Sequence, residues 1–180
     1  MKIDARVRYT QKAIRDAFLK LLNDKPIQKI TVKELCLEAG INRATFYSHY
    51  KNPAALLESI EDDLLAEILK SAHGKDRIDN LFPIIMKHID ICRILFSEHG
   101  NSFFLLRMIE KSKTQSIQEL QADYPYLSQT QLEYFYEFMA AGTVAVISQW
   151  VRSGMGELPI NFSNIIDALR EQWLNSIGKA

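Results

Sequence analysis

Between Thr31 and Pro53 the chain is punctuated so closely that only very short helices fit, and this constrains its fold more than any other feature. Thr31 and Glu34 have the spacing of a capping box. Gly40 stops the helix that follows. Asn42 is a good N-cap for the next one, and Asn52 followed by Pro53 repeats the start signal with proline at the first helical position. The result is a helix of about two turns, a glycine turn and a second short helix, which is the helix-turn-helix arrangement whose second helix lies in the major groove.

A helical wheel sorts the side chains of that second helix, in the stretch NRATFYSHYKN from Asn42 to Asn52. Phe46 and Tyr50 stand four apart and define the inward side. Ala44, Thr45 and Ser48 fall on the opposite side, facing the bases, and the small Ala44 can meet a thymine methyl. Tyr47 and His49 lie on the flanks, where their polar tips can donate to phosphate oxygens, and Lys51 follows at the helix end. Arg43 is angularly nearer the packed side, yet long enough to reach a guanine edge or a phosphate. The starts of the flanking helices, at Thr31 to Lys33 and at Asn52, present backbone N–H groups toward phosphates on either side.

Charge supports this division. Residues 1–51 hold eleven Lys and Arg against five Asp and Glu, a net of +6, while the remaining residues hold eleven against seventeen, a net of −6. The formal charge of zero therefore conceals a basic head on an acidic body, and phosphate neutralisation supplies most of the affinity for DNA. We read residues 1–52 as a DNA-binding domain and 53–180 as a second helical domain.

The rest of the chain also reads as helix, with no alternating strand pattern, so the fold class is all-α. Thr10 can cap a first helix carrying Ile14, Ala17, Phe18, Leu21 and Leu22. Leu57, Ile60, Leu64 and Ile68 extend a fourth helix, and four more are expected at about 77–97, 102–122, 129–153 and 163–177. The acidic run Glu61, Asp62, Asp63 reads as a solvent-facing patch.

The run ITVKELCLEAGINRATFYSHYKNPAALLESI strongly resembles the DNA-binding domain of TetR-type transcriptional regulators, over residues from about Thr10 to Ile68. The resemblance implies an all-helical homodimer in which three N-terminal helices bind an operator half-site and a larger body dimerises and binds an effector. By position, Thr45, Tyr47, His49 and Lys51 match sites that commonly touch DNA in that family. Pro53 departs from the pattern, since a lysine is frequent there.

In the body, Tyr134 to Val151 contains only Glu137, Thr143, Ser148 and Gln149 as polar residues, so this helix must be covered on nearly all sides. A membrane span is set aside, because the flanking helices are amphipathic and Glu137 interrupts the run. Ala141, Ala145 and Trp150 here, with Leu169 and Trp173 on the last helix, are the expected dimer interface, an intermolecular four-helix bundle. Phe82, Met86, Phe104, Met108, Tyr134 and Phe138 are the expected lining of a pocket for a small apolar or aromatic effector, with His88 or Glu137 as polar groups.

His88 and Cys92, with His99 nearby, are too few for a metal site, and no cofactor is expected. No Gly-rich phosphate loop, nucleophile elbow or HExxH occurs, so an enzyme is not expected. The opening segment MKIDARVRYTQK has no secretory character, and Cys36 and Cys92 sit in apolar surroundings; a cytoplasmic location follows as the expectation. The expected function is a ligand-responsive repressor acting as a homodimer on a pseudo-palindromic operator. The alternatives are an activator or a regulator controlled by a partner protein, and, from another class, a dimeric helical binding module that does not bind DNA.

Overall fold

A computed structural model describes residues 5–71, 78–96, 102–155 and 162–177, the side chains of residues 102, 103 and 177 aside. Among the described residues the regular structure is helical throughout: α1 Ala5–Asp24, a single 3-10 turn Ile27–Lys29, α2 Val32–Glu38, α3 Arg43–Tyr47, α4 Pro53–Ser71, α5 Leu81–Lys87, α6 Ile89–Leu95, α7 Ser102–Asp123, α8 Gln129–Arg152 and α9 Phe162–Ile177. The chain divides into two compact units, residues 1–66 and 67–180, with the boundary inside α4.

The first unit is built around one core. Ile14, Ala17 and Phe18 of α1, Leu35 and Cys36 of α2, Phe46 and Tyr50 of the α3 region, and Leu56, Ile60, Leu64 and Leu65 of α4 are all buried. Phe18 and Phe46 are fully enclosed, and deleting a ring of that kind costs about 3–5 kcal/mol. The guanidinium of Arg15 links α1 to α4 by reaching Asp63 and, at 3.5 Å, the Ser59 hydroxyl.

Helix ends follow the sequence signals closely. Thr31 and Glu34 close a capping box: the Glu34 N–H donates to Thr31 Oγ1 at 3.3 Å and the Thr31 N–H donates to the Glu34 carboxylate at 3.1 Å. Gly40 takes φ +65°, a left-handed conformation in which a Cβ would be strained, and so lets the chain leave α2. Asn42 caps α3 and Asn52 Oδ1 accepts the Ala55 N–H at 2.8 Å to cap α4.

Three expectations are corrected. Thr10 does not cap α1, which begins at Ala5; inside the helix its hydroxyl donates to the Arg6 carbonyl at 2.9 Å. The helix expected at about 77–97 is two, α5 and α6, which meet at His88 with φ −113° and ψ 33°. His88 Nε2 lies 2.8 Å from the Glu67 carboxylate, which also takes Lys87 at 2.8 Å, so this junction is held by α4. Glu61 is not solvent-facing: it is 3% exposed, whereas Asp62 and Asp63 are exposed.

The second unit has its own core. Ile117 and Leu120 of α7, Leu127, Leu132, Phe135 and Tyr136 up to and along α8, and Leu174 of α9 form one cluster. Ser128 and Gln131 close a second capping box at the start of α8.

The carboxyl of Glu34 is held at about 2, first by Lys25, then by the Thr31 side chain and backbone. Its folded pKa lies below the unfolded one, so its contribution is complete above the ordinary carboxylate range and fades as pH falls toward 2. We expect Glu34→Gln to lower the melting temperature at neutral pH, and the gap from the parent protein to shrink by more than half by about pH 3. A gap equal at both pH values contradicts this assignment.

Candidate functional site

α3 is only five residues long, too short to be stable alone, so its position is imposed from outside. Asn42 Oδ1 accepts the Thr45 N–H at 2.8 Å and the Thr45 hydroxyl at 3.1 Å, fixing the first turn. Phe46 is fully buried, and the Tyr50 N–H returns to the Phe46 carbonyl at 2.9 Å after α3 itself has ended at Tyr47. The sequence reading carried the helix further; the backbone turns at Ser48 and His49, but Tyr50 still points inward, 7% exposed.

The outward side chains then follow. Arg43, Ala44, Tyr47, Ser48, Lys51 and Asn52 are exposed, while Thr45 and His49 are half-buried. Tyr47 leans edge-on against Phe46, ring centroids 5.7 Å apart at 80°, which fixes its direction. The Ser48 hydroxyl donates to the Thr45 carbonyl at 2.7 Å. Burial pushes the Cys36 thiol up while the charge of Arg43 pulls it back. Lys33 is exposed on α2. Thr31, in contrast, already spends its N–H and its hydroxyl on the Glu34 carboxylate, at 3.1 and 2.8 Å, and has neither donor left over for a phosphate.

The second unit contains a cavity of about 150 Å³. Ile68 and Leu69 of α4, Met108 and Ile109 of α7, Phe135, Met139, Ala140 and Val144 of α8, and Ile166 of α9 supply its apolar wall. Ser112, Ser116, Thr143, Asp167 and Arg170 are its polar groups. Of the six side chains expected to line a pocket, Met108 alone does so. Phe104 is fully buried in the core, and Phe82 packs edge-on against Trp150 at 5.6 Å. Met86, Tyr134 and Phe138 point outward, 54%, 71% and 73% exposed. Neither expected polar group belongs to the cavity: His88 pairs with Glu67, and Glu137 takes Lys113 at 2.7 Å on the surface. Of the small residues on α8, Ala140 lines the cavity, whereas Ala141 and Ala145, expected at the interface, do not.

The expected interface residues separate as well. Ala141, Ala145 and Leu169 are exposed. Trp150 is 8% exposed and Trp173 stacks against Phe135 with centroids 4.7 Å apart, so both rings belong to the chain's own core. Cys92 is buried, and burial pushes its thiol up to about 12. His99 lies outside the described residues. Among the described residues no helix is long and apolar enough to cross a membrane.

Comparison with known proteins fits this division into two parts. Residues 14–60 match the family model of bacterial regulatory proteins, tetR family, and residues 73–172, more than half of the chain, match that of a TetR-type transcriptional regulator C-terminal region. The chain belongs to the TetR family. It is accordingly a DNA-binding transcriptional regulator with an all-helical fold.

Within the family, the HTH-type dhaKLM operon transcriptional activator DhaS of Lactococcus lactis subsp. lactis is 25% identical over 170 residues, covering 91% of this chain and 90% of that protein. The solved structure of the dihydroxyacetone kinase operon activator DhaS shares the fold, with a TM-score of 0.63 at 22% identity over 93% of this chain and 96% of that one. Other likenesses are confined to a part. The uncharacterized HTH-type transcriptional regulator YxbF of Bacillus subtilis is 39% identical over 69 residues, 38% of this chain and 18% of that protein. The tetracycline repressor protein class D of Escherichia coli is 37% identical over 59 residues, 33% of this chain and 27% of that protein.

Lys51 is exposed just beyond α3 and carries a positive charge of the kind that meets phosphates. Lys51→Ala should weaken binding to all duplex sequences alike and reduce the slope of log affinity against log salt by about one. An unchanged affinity for random duplex removes Lys51 from the contacts.

Proposed function

We propose that this regulator works as a ligand-responsive homodimer on a pseudo-palindromic operator in the cytoplasm, most simply as a repressor. Two copies of α3 enter successive major grooves, with Arg43, Ala44, Thr45 and Ser48 toward the bases and Lys33, Tyr47, His49, Lys51 and the Asn52 backbone toward phosphates. Half-sites one turn apart require those helices about 34–36 Å apart. An effector with higher affinity for a dimer whose helices are misplaced lowers operator affinity by population shift.

The observation that carries dimerisation is an uncharged stripe on α8. Tyr134, Phe138, Ala141, Ala145 and Gln149 recur at helical spacing and are all exposed, as are Ile165, Ala168, Leu169 and Gln172 on α9. Isolated exposed apolar residues are ordinary, but a contiguous stripe on two helices is characteristic of an interface. A Cβ on Gly142 would meet nothing within 4 Å, leaving room for close approach by a partner helix. Tyr134→Glu combined with Leu169→Glu should give a folded monomer by sedimentation; an intact dimer places the interface elsewhere. Trp150→Glu is expected to unfold the second unit instead, because it puts an unpaired charge in the core.

The cavity supports the effector reading. Its size suits a molecule of about one aromatic ring or a short acyl chain. Single-ring aromatics and short fatty acids should be screened by thermal shift, where a ligand at a hundred times its Kd stabilises by about 2.7 kcal/mol. We expect at least one hit whose shift is lost in Ala140→Phe, which fills the cavity. Hits that shift the variant equally bind elsewhere.

One observation favours a second reading, activation. The relative that aligns along nearly the whole chain is named an activator, whereas the tetracycline repressor aligns with the DNA-binding part alone. In vitro transcription from an operator-bearing promoter, with and without the protein, decides the sign.

A further inference from the structure

The hydroxyl groups on the recognition face are already committed as donors. Thr45 Oγ1 gives its proton to Asn42 Oδ1 at 3.1 Å, and Ser48 Oγ gives its proton to the Thr45 carbonyl at 2.7 Å. A hydroxyl has one proton and two lone pairs, so each is left as an acceptor. Asn42 Oδ1, the acceptor for Thr45, also holds the Thr45 N–H at 2.8 Å, and breaking this arrangement to free a donor would loosen the cap of a five-residue helix. The small side chains of this segment also carry methyl groups, on exposed Ala44 and on Thr45 itself.

In the major groove, adenine N6 and cytosine N4 are donors, thymine shows O4 and a methyl group, and guanine shows two acceptors, N7 and O6. From this match we propose that the recognition face of α3 is an acceptor-and-methyl surface selective for adenine or cytosine opposite Ser48 and for thymine opposite Ala44 and Thr45. It discriminates against guanine at those positions, since two acceptors would face each other. Among the α3 side chains Arg43 alone combines the reach and the paired donors that a guanine edge needs, and it is the first residue of α3, at the opposite end from the C-cap Ser48. Any guanine read directly by α3 therefore sits at the Arg43 end of the half-site. The proposal rests on α3 being the helix in the groove.

The test begins with selection of duplexes from a random library by the full-length protein, followed by the same selection with Ser48→Ala and Thr45→Ser. Both variants are mild: Ser48 is exposed, and serine at 45 retains the hydroxyl that bonds Asn42. Ser48→Ala should reduce preference for adenine or cytosine at one position per half-site about three- to tenfold, the range of one ordinary hydrogen bond. Replacing thymine by deoxyuridine should weaken binding of the parent protein at one or two positions, and Thr45→Ser should lose part of that sensitivity. If Ser48→Ala instead erases preference for a guanine, the acceptor assignment is wrong while α3 remains the reading helix. If neither variant changes any position of the selected motif, Ser48 and Thr45 do not read the bases and this proposal falls, while the placement of α3 in the groove then stands on Arg43 and Ala44.

Discussion

The arrangement depends first on how a helix too short to exist alone is kept in place. Nucleating a helix fixes several residues for one hydrogen bond, and five residues cannot recover that cost. Two anchors replace length in α3. Asn42 supplies a cap that holds both the Thr45 amide and its hydroxyl, and the fully buried Phe46 fastens the other face to the core of the first unit. Everything exposed on α3 inherits its direction from these two. The same economy explains the capping box at Thr31 and Glu34 and the left-handed glycine at 40, which start and stop α2 within seven residues.

This part of the molecule was legible in the sequence because each of its signals is local. A capping box, a glycine with positive φ and an asparagine N-cap act on residues three or four positions away, and the structure realises each of them. Phe46 and Tyr50 were assignable to the core because the only apolar side of α3 faces inward. Thr31 shows where even local reading falls short: its cap partner takes the donors that had been offered to phosphate.

In the second unit the sequence conveyed helices but not facing. A helix apolar around most of its circumference has two plausible core sides, and periodicity does not say which is covered by its own chain. Trp150 and Trp173 were expected at an interface; instead Trp150 meets Phe82, which in turn meets Phe162, and Trp173 meets Phe135, within the chain. Tyr134 and Phe138 were assigned to the inside and stand outside. The polar groups of the cavity, Ser112, Thr143 and Arg170 among them, come from three helices far apart in sequence, and no local pattern ties them together. The kink at His88 likewise depends on Glu67, on another helix.

The head therefore has its chemistry written along a short stretch, while the body has its chemistry assembled by tertiary packing. The central claim is that the segment anchored by Asn42 and Phe46 is what DNA touches. Amide hydrogen exchange of the full-length protein, with and without a duplex selected by it, tests this most directly. Binding should slow exchange across residues 43–51 and at the start of α4. Protection confined to α7, α8 or α9, with residues 43–51 unchanged, would contradict the account.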